Sequence, residues 1–186
     1  MAEAKFPRVV SLACHDLRTP LATIYGFART LTRTGDLDER TMRFLGMIEE
    51  ASEQMTVMLD QVGVAARIES GRWDPGLREA NTLELATSDD ERVVTEGEGE
   101  TIETEPESVG DALRSLAVAA SRYGPVEHAT WRVSGRVLEL SPITADAAPV
   151  VTGESIRDLG SLVARFVIEE LGGSIELDGE ILRVRL

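Results

Sequence analysis

Apolar residues fall into two long runs of helical period at the start of the chain. In the first, Val10, Ala13, Leu17, Leu21, Ile24, Ala28 and Leu31 lie three or four positions apart, the spacing of a seam packed against other helices. The second runs Leu45, Ile48, Ser52, Met55, Leu59, Val62 and Ala66, broken only by polar Ser52. Between them, Thr34-Gly35-Asp36 reads as a helix end and a turn, with Gly35 available for a left-handed cap. Asp36 or Asp38 can cap the second helix, and Glu39 suits the dipole of its first turn. The pattern predicts helices over about residues 4–33 and 37–70, each roughly 45 Å long. Joined by so short a turn, they form an antiparallel hairpin. One hairpin cannot enclose both seams together with Val9, Phe27, Phe44, Met47 and Met58. Two hairpins can, as a four-helix bundle, so a homodimer is expected.

Beyond residue 71 the pattern changes. Gly71 to Gly76 has the composition of a linker, which divides the chain into domains 1–71 and 72–186. Asn81 to Ala86 is a short segment expected to lie against the bundle. Val93-Val94 and Thr101-Ile102 alternate with acids around Gly97 and Gly99, the pattern of a β-hairpin with one solvated face. A helix follows from Glu107 or Ser108 to Arg122, with Val109, Ala112, Leu113, Leu116 and Ala120 on its apolar face and Gly124-Pro125 to stop it. Strands are predicted over 129–133 and 136–140 about a tight Ser134-Gly135 turn, then a loop over 144–149. A last helix spans about 156–171 and is capped by Gly172-Gly173. A hairpin around Asp178-Gly179 closes the chain. Helices with antiparallel strands make this part an α/β sandwich, and the whole chain α+β.

Composition narrows the partners. Of 186 residues, 42% are apolar and 28% charged, as in ordinary globular proteins. No apolar run is long enough to span a membrane, and the N-terminus has no signal-peptide pattern, so a cytoplasmic location is expected. The net charge of −14 argues against nucleic acid or an anionic membrane as partner. Acids dense over 89–107 lack cation-loop spacing and read as a solvated face. The lone cysteine, Cys14, excludes an intrachain disulfide and reads as a packed thiol.

One residue stands off the first seam. His15 is two positions before Leu17, about 200° around the helix, so its imidazole faces water. A neutral imidazole has a ring nitrogen free to act as nucleophile. One turn on, Pro20 removes an N–H from the helix and strips the Asp16 carbonyl of its partner. Such a breach of local propensity often marks a functional position.

Ser11 to Phe27, containing His15-Asp16-Leu17-Arg18-Thr19-Pro20-Leu21, resembles the H-box of bacterial sensor histidine kinases. The segment Arg67-Ile68-Glu69-Ser70-Gly71 resembles the end of that family's second helix. The resemblance implies that His15 carries the phosphoryl group within a dimeric four-helix bundle. It makes Asp16 an orienting or proton-accepting acid and Thr19, three residues on, a residue that orients water for dephosphorylation. Arg18 either steadies the phosphoryl group or is a solvated charge. Thr23, Gly26 and Arg29 are candidates, with Arg18, for docking a receiver domain.

The second half resembles the family's ATP-binding domain at two places, Ala112 to Tyr123 and Glu169 to Ile175. It departs from it at three. Ala119 stands where a magnesium-ligating asparagine is found. Ser141 to Pro149 replaces a glycine-bearing segment, with Asp146 its only acid. Ile156 to Ser161 keeps only Gly160 of the glycine-rich phosphate loop, and Asp158 brings the wrong charge. The expectation is a histidine phosphotransferase that relays phosphoryl groups between response-regulator receiver aspartates, including those of a hybrid histidine kinase. It would need no cofactor of its own, the Mg²⁺ coming with the receiver. The rivals are a divergent kinase that autophosphorylates His15, a regulator that binds a receiver or kinase without carrying phosphate, and a receiver phosphatase.

Overall fold

The computed structural model describes residues 5–35, 37–155 and 157–186. The expectations placed on Asp36, on Ile156 and on the side chain of Val9 lie outside them. The chain divides into two compact units, residues 1–72 and 73–186.

The first unit is a hairpin of α1 (Lys5–Thr34) and α2 (Glu39–Glu69). Helix α1 continues through Pro20. Asp38 caps α2, its carboxylate accepting from the Thr41 N–H at 3.0 Å and the Thr41 hydroxyl at 2.7 Å. Those bonds favour the charged form and hold the carboxyl below its ordinary pKa. Gly35 is not the left-handed cap expected of it, since its φ is not positive. Its N–H still bonds the Leu31 carbonyl at 3.0 Å, and a Cβ there would collide with that carbonyl and with the Leu37 side chain. Close approach, not chirality, explains the glycine.

The seam expected on α1 is really two stripes. Cys14, Leu21 and Ala28, seven residues apart, are buried against α2. Leu17, Ile24 and Leu31, also seven apart, are about half exposed. On α2 the same division puts Leu45, Ser52, Gly63 and Ala66 inside and leaves Phe44, Met47, Ile48, Met55 and Met58 outside. An apolar arc of this width exceeds what one neighbouring helix can cover. Ser52 belongs to the buried stripe because its hydroxyl is satisfied by the Ile48 carbonyl at 2.7 Å.

The second unit is mixed α and β. In order it contains β1 (Arg78–Asn81), α3 (Thr82–Ala86), β2 (Val93–Gly99), β3 (Thr101–Thr104), α4 (Pro106–Tyr123), β4 (Ala129–Gly135), β5 (Val137–Ser141), α5 (Ala148–Val151), α6 (Leu159–Glu170), β6 (Ser174–Asp178) and β7 (Ile181–Arg185). Five strands form a sheet in the order β2-β4-β5-β7-β6, and β1 pairs with β3 separately. Trp131, Leu138, Leu140 and Leu182 of the sheet are fully buried, as are Leu113 and Leu116 of α4 and Ile168 of α6.

Three expectations fail here. The hairpin over 93–102 does not form: β2 pairs parallel with β4, and β3 pairs antiparallel with β1. The chain changes sheets at Glu100, whose backbone is held on both sides by Thr82, its N–H by the Thr82 hydroxyl at 2.9 Å and its carbonyl by the Thr82 N–H at 3.0 Å. Asn81 to Ala86 supplies α3, which packs on β2 and α4 within its own unit. The two tight turns fall one residue later than expected, on Gly135-Arg136 and Gly179-Glu180. Each has its glycine first with φ 61°, the position that a type II′ turn reserves for glycine.

The solvated face of the sheet carries a row of charge in register across all five strands: Glu96, Arg132, Glu139, Arg183 and Glu176. Arg132 bonds Glu96 at 2.9 Å and Arg183 bonds Glu139 at 2.9 Å. Glu139, with more distant Asp178 and Glu176, holds the Arg183 guanidinium above its ordinary pKa.

Candidate functional site

His15 stands on α1 with its side chain 76% exposed. Its neighbour Cys14 is buried on the seam at 4% exposure, so the helix turns the thiol in and the imidazole out. Successive helix positions diverge, yet the His15 Nδ1 lies 3.2 Å from the Asp16 carboxylate. In the tautomer with its proton on Nδ1, that carboxylate accepts the proton's hydrogen bond and the Nε2 lone pair is left to solvent. The contact orients the ring.

The other expected residues surround it unequally. Thr19 is exposed one turn on, and its hydroxyl bonds no described residue. Thr23 is exposed and its hydroxyl donates back to the Thr19 carbonyl at 3.0 Å. At Gly26 a Cβ would meet only open space, so that surface is flat. Arg29 is drawn onto Tyr25: its Nη1 reaches the phenol oxygen at 3.0 Å, with the guanidinium 5.7 Å from the ring centre. Arg18 is not a free solvated charge. Its Nε and Nη2 both donate to the Asp60 carboxylate on α2, at 3.0 and 2.6 Å.

Sequence reasoning missed the polar ladder that sets the hairpin register. Arg18 bonds Asp60, Tyr25 bonds Glu53 at 3.0 Å, and Thr32 bonds Glu49 at 2.7 Å. Arg18, Tyr25 and Thr32 are seven apart, between the buried positions. That period was available in the sequence, but it is invisible to a search for apolar residues alone.

In the second unit, Ala119 is 1% exposed within the α4 core and offers no donor or acceptor beyond its backbone. Asp158 is the N-cap of α6, accepting from the Ser161 N–H at 2.9 Å, and its carboxylate also lies 3.4 Å from the Arg122 guanidinium. Tyr123 donates to the Arg157 carbonyl at 2.9 Å. The start of α6 is thus tied to the end of α4. Ile143 and Ala147 of the glycine-free segment are buried, and Asp146 is exposed.

A long two-helix hairpin with an exposed histidine, followed by a helix-backed mixed sheet, is the architecture of histidine kinases. Residues 8–71 match the His Kinase A (phospho-acceptor) domain. The chain belongs to the sensor histidine kinase-like family, with a dimerisation-type hairpin followed by an ATPase-like domain. It is 30% identical over 136 residues to the probable sensor histidine kinase TcrY of Mycobacterium tuberculosis, a match covering 67% of this chain and 29% of that protein. It is 35% identical over 72 residues to the sensor histidine kinase TrcS of the same organism, covering 38% of this chain and 14% of that protein. The chain therefore spans less than a third of either relative. Among solved structures, full-length ShkA in complex with AMPPNP aligns with TM-score 0.68 at 16% identity, over 96% of this chain and 44% of that one. The histidine kinase AdeS of Acinetobacter baumannii aligns with TM-score 0.58 at 18% identity, over 92% and 96%. Among the described residues, no helix is long and apolar enough to cross a membrane.

Proposed function

We propose that this chain is a histidine phosphotransferase that relays phosphoryl groups between receiver-domain aspartates through His15 and binds no ATP. The observation that carries the reading is the exposed imidazole whose Nδ1 is engaged by Asp16. The Nε2 lone pair attacks the phosphorus of an aspartyl phosphate. An N–P bond forms, the acyl P–O bond breaks, and the aspartate leaves as a carboxylate with the electron pair. The imidazolium so formed keeps its Nδ1 proton against Asp16. Attack by a second receiver's aspartate reverses the sequence. Such transfer depends mainly on positioning and charge neutralisation, and Mg²⁺ arrives with the receiver. Thr19 orients water when the phosphoryl group is hydrolysed. Thr23, Gly26 and Arg29 form the docking surface along the helix.

The residues of the second unit do not fit a magnesium nucleotide. Buried Ala119 cannot ligate a hard cation, and Asp158 is committed to its helix cap and faces Arg122. The half-exposed stripe of Leu17, Ile24 and Leu31, with Ile48 and Met55 opposite, supports a homodimeric four-helix bundle.

Purified chain mixed with phosphorylated receiver domain is expected to take label on His15, and His15→Ala to take none. Equal label on the two would end the reading. A second reading is favoured by the names of the relatives and by the AMPPNP complex of ShkA: a divergent kinase that autophosphorylates His15. Incubation with labelled ATP and Mg²⁺ discriminates, because label on His15 without any receiver present selects the kinase.

A further inference from the structure

The two rims of the five-stranded sheet differ. At β2, Gly97 bends the strand with φ 117°, and the Thr95 hydroxyl is tied to the Ala86 carbonyl of α3 at 2.9 Å. Strand β6, at the other end of the sheet, has neither device. Its residues, Ser174–Asp178, pair one to one with β7 and form no bulge. They include no glycine, proline or lysine. Bulges, prolines and lysines are what commonly blunt an open edge.

Register tells what that edge presents. Asp178 and Ile181 close a two-residue turn, so they exchange backbone bonds. The alternation of an antiparallel pair passes the same role to Glu176 and Ser174. Ile175 and Leu177 therefore turn their N–H and C=O groups away from β7, and among the described residues nothing bonds them there. Their side chains lie on the face that α6 packs against, opposite Val184 and Leu182. Those two are fully buried, whereas Ile175 and Leu177 are half-buried. The apolar layer thus reaches the rim without being covered there. On the other face, the charge row ends on Glu176, which is 58% exposed. Arg183 stands opposite it but gives its guanidinium to Glu139 at 2.8 Å. Arg185 comes no nearer to Glu176 than 3.9 Å. Asp178, two residues on, adds a second acid to that face.

We propose that the β6 edge receives an extended segment of a partner protein as a further strand, with an arginine or lysine opposite Glu176 and an apolar residue on each side of it. The backbone groups of Ile175 and Leu177 bind the segment's main chain, as in other sheets that gain a strand from a peptide. Its two apolar side chains cover Ile175 and Leu177. Its cation continues the alternation of sign along the row, where directly opposed charges of opposite sign attract. The inference rests on the sheet alone and is independent of the chemistry proposed for His15.

The test adds a short synthetic peptide, acetylated and amidated Thr-Thr-Val-Arg-Val-Thr-Thr, to the full chain. The control peptide carries glutamate in place of the arginine. Amide hydrogen exchange followed by NMR is expected to slow about tenfold at Ile175 and Leu177 with the arginine peptide at millimolar concentration. Glu176→Arg is expected to weaken that peptide about tenfold and to make the glutamate peptide the tighter ligand, with circular dichroism confirming the fold of the variant. Equal affinity of the chain for the two peptides would overturn the proposal, as would slowing confined to other amides. Slowing of these amides with protein concentration alone would give the edge to a second copy and overturn it too.

Discussion

The two units bury their apolar residues in opposite ways. In the α/β unit, Trp131, Leu138, Leu140, Leu182, Leu113, Leu116 and Ile168 are sealed between sheet and helices, and among the described residues only Leu77 and Val94 stand out as exposed large hydrophobics. The hairpin buries mainly small residues, Cys14, Ala28 and Ala66, beside Leu21 and Leu45, and among the described residues leaves eleven large apolar side chains 41–68% exposed. The first has finished its core within one chain; the second has finished only half. The chemistry is divided the other way. The incomplete unit presents an exposed histidine, and the complete one holds Ala119 buried within α4. Self-sufficient packing and the proposed chemistry fall to different units.

The sharpest test of that division deletes packing from the complete core. Leu138→Ala is expected to lower stability by about 2–5 kcal/mol, read from denaturant melts, and to leave the mass of the assembly in sedimentation unchanged. Ile24→Asp should do the reverse. It is expected to weaken association at least 100-fold, or about 2.7 kcal/mol, while far-ultraviolet dichroism keeps its helical signal. A monomeric wild type, or an Ile24→Asp variant that still pairs, would break the comparison. Asp60→Ala is expected to cost under about 1 kcal/mol, because both partners of the Arg18 pair are partly exposed and screened.

The smallest effect is a pH dependence confined to the second unit. Arg92 holds the Asp90 carboxyl down at about 2, against an ordinary 3.8. A depressed carboxyl stabilises the fold above its unfolded value, and that contribution fades as pH falls from about 4 toward 2. The pair is partly open to solvent, so its worth is under about 1 kcal/mol. Asp90→Asn should melt slightly lower than wild type at pH 5, with the gap closing by pH 2.

Much of the architecture could be read from local pattern. Both long helices, the Asp38 cap, α4 with its buried face from Val109 to Ala120, and the Gly172-Gly173 end of α6 follow from period and capping chemistry. That end forms the expected paired bonds, Gly173 to Ile168 and Gly172 to Glu169. What escaped was non-local. Val93 to Gly99 alternates like a hairpin strand, and nothing in its own residues says that its partner lies beyond α4. The exposed apolar stripe of α1 merged with the buried one because both repeat every seven residues on adjacent lines of the helix. Of the site, His15 and its outward position were legible, since one off-seam residue reads from period alone. Asp60 and Glu53 were not, because their meaning depends on which residue of the opposite helix stands level with them.

The charge row on the sheet has a consequence at the scale of many molecules. Its signs alternate over an odd number of strands, so both outermost members, Glu96 on β2 and Glu176 on β6, are anions. A second copy that tried to extend the sheet in register from either rim would bring carboxylate against carboxylate, whichever rim it offered. The same alternation that quiets repulsion within one molecule thus guards it against growing into a fibre.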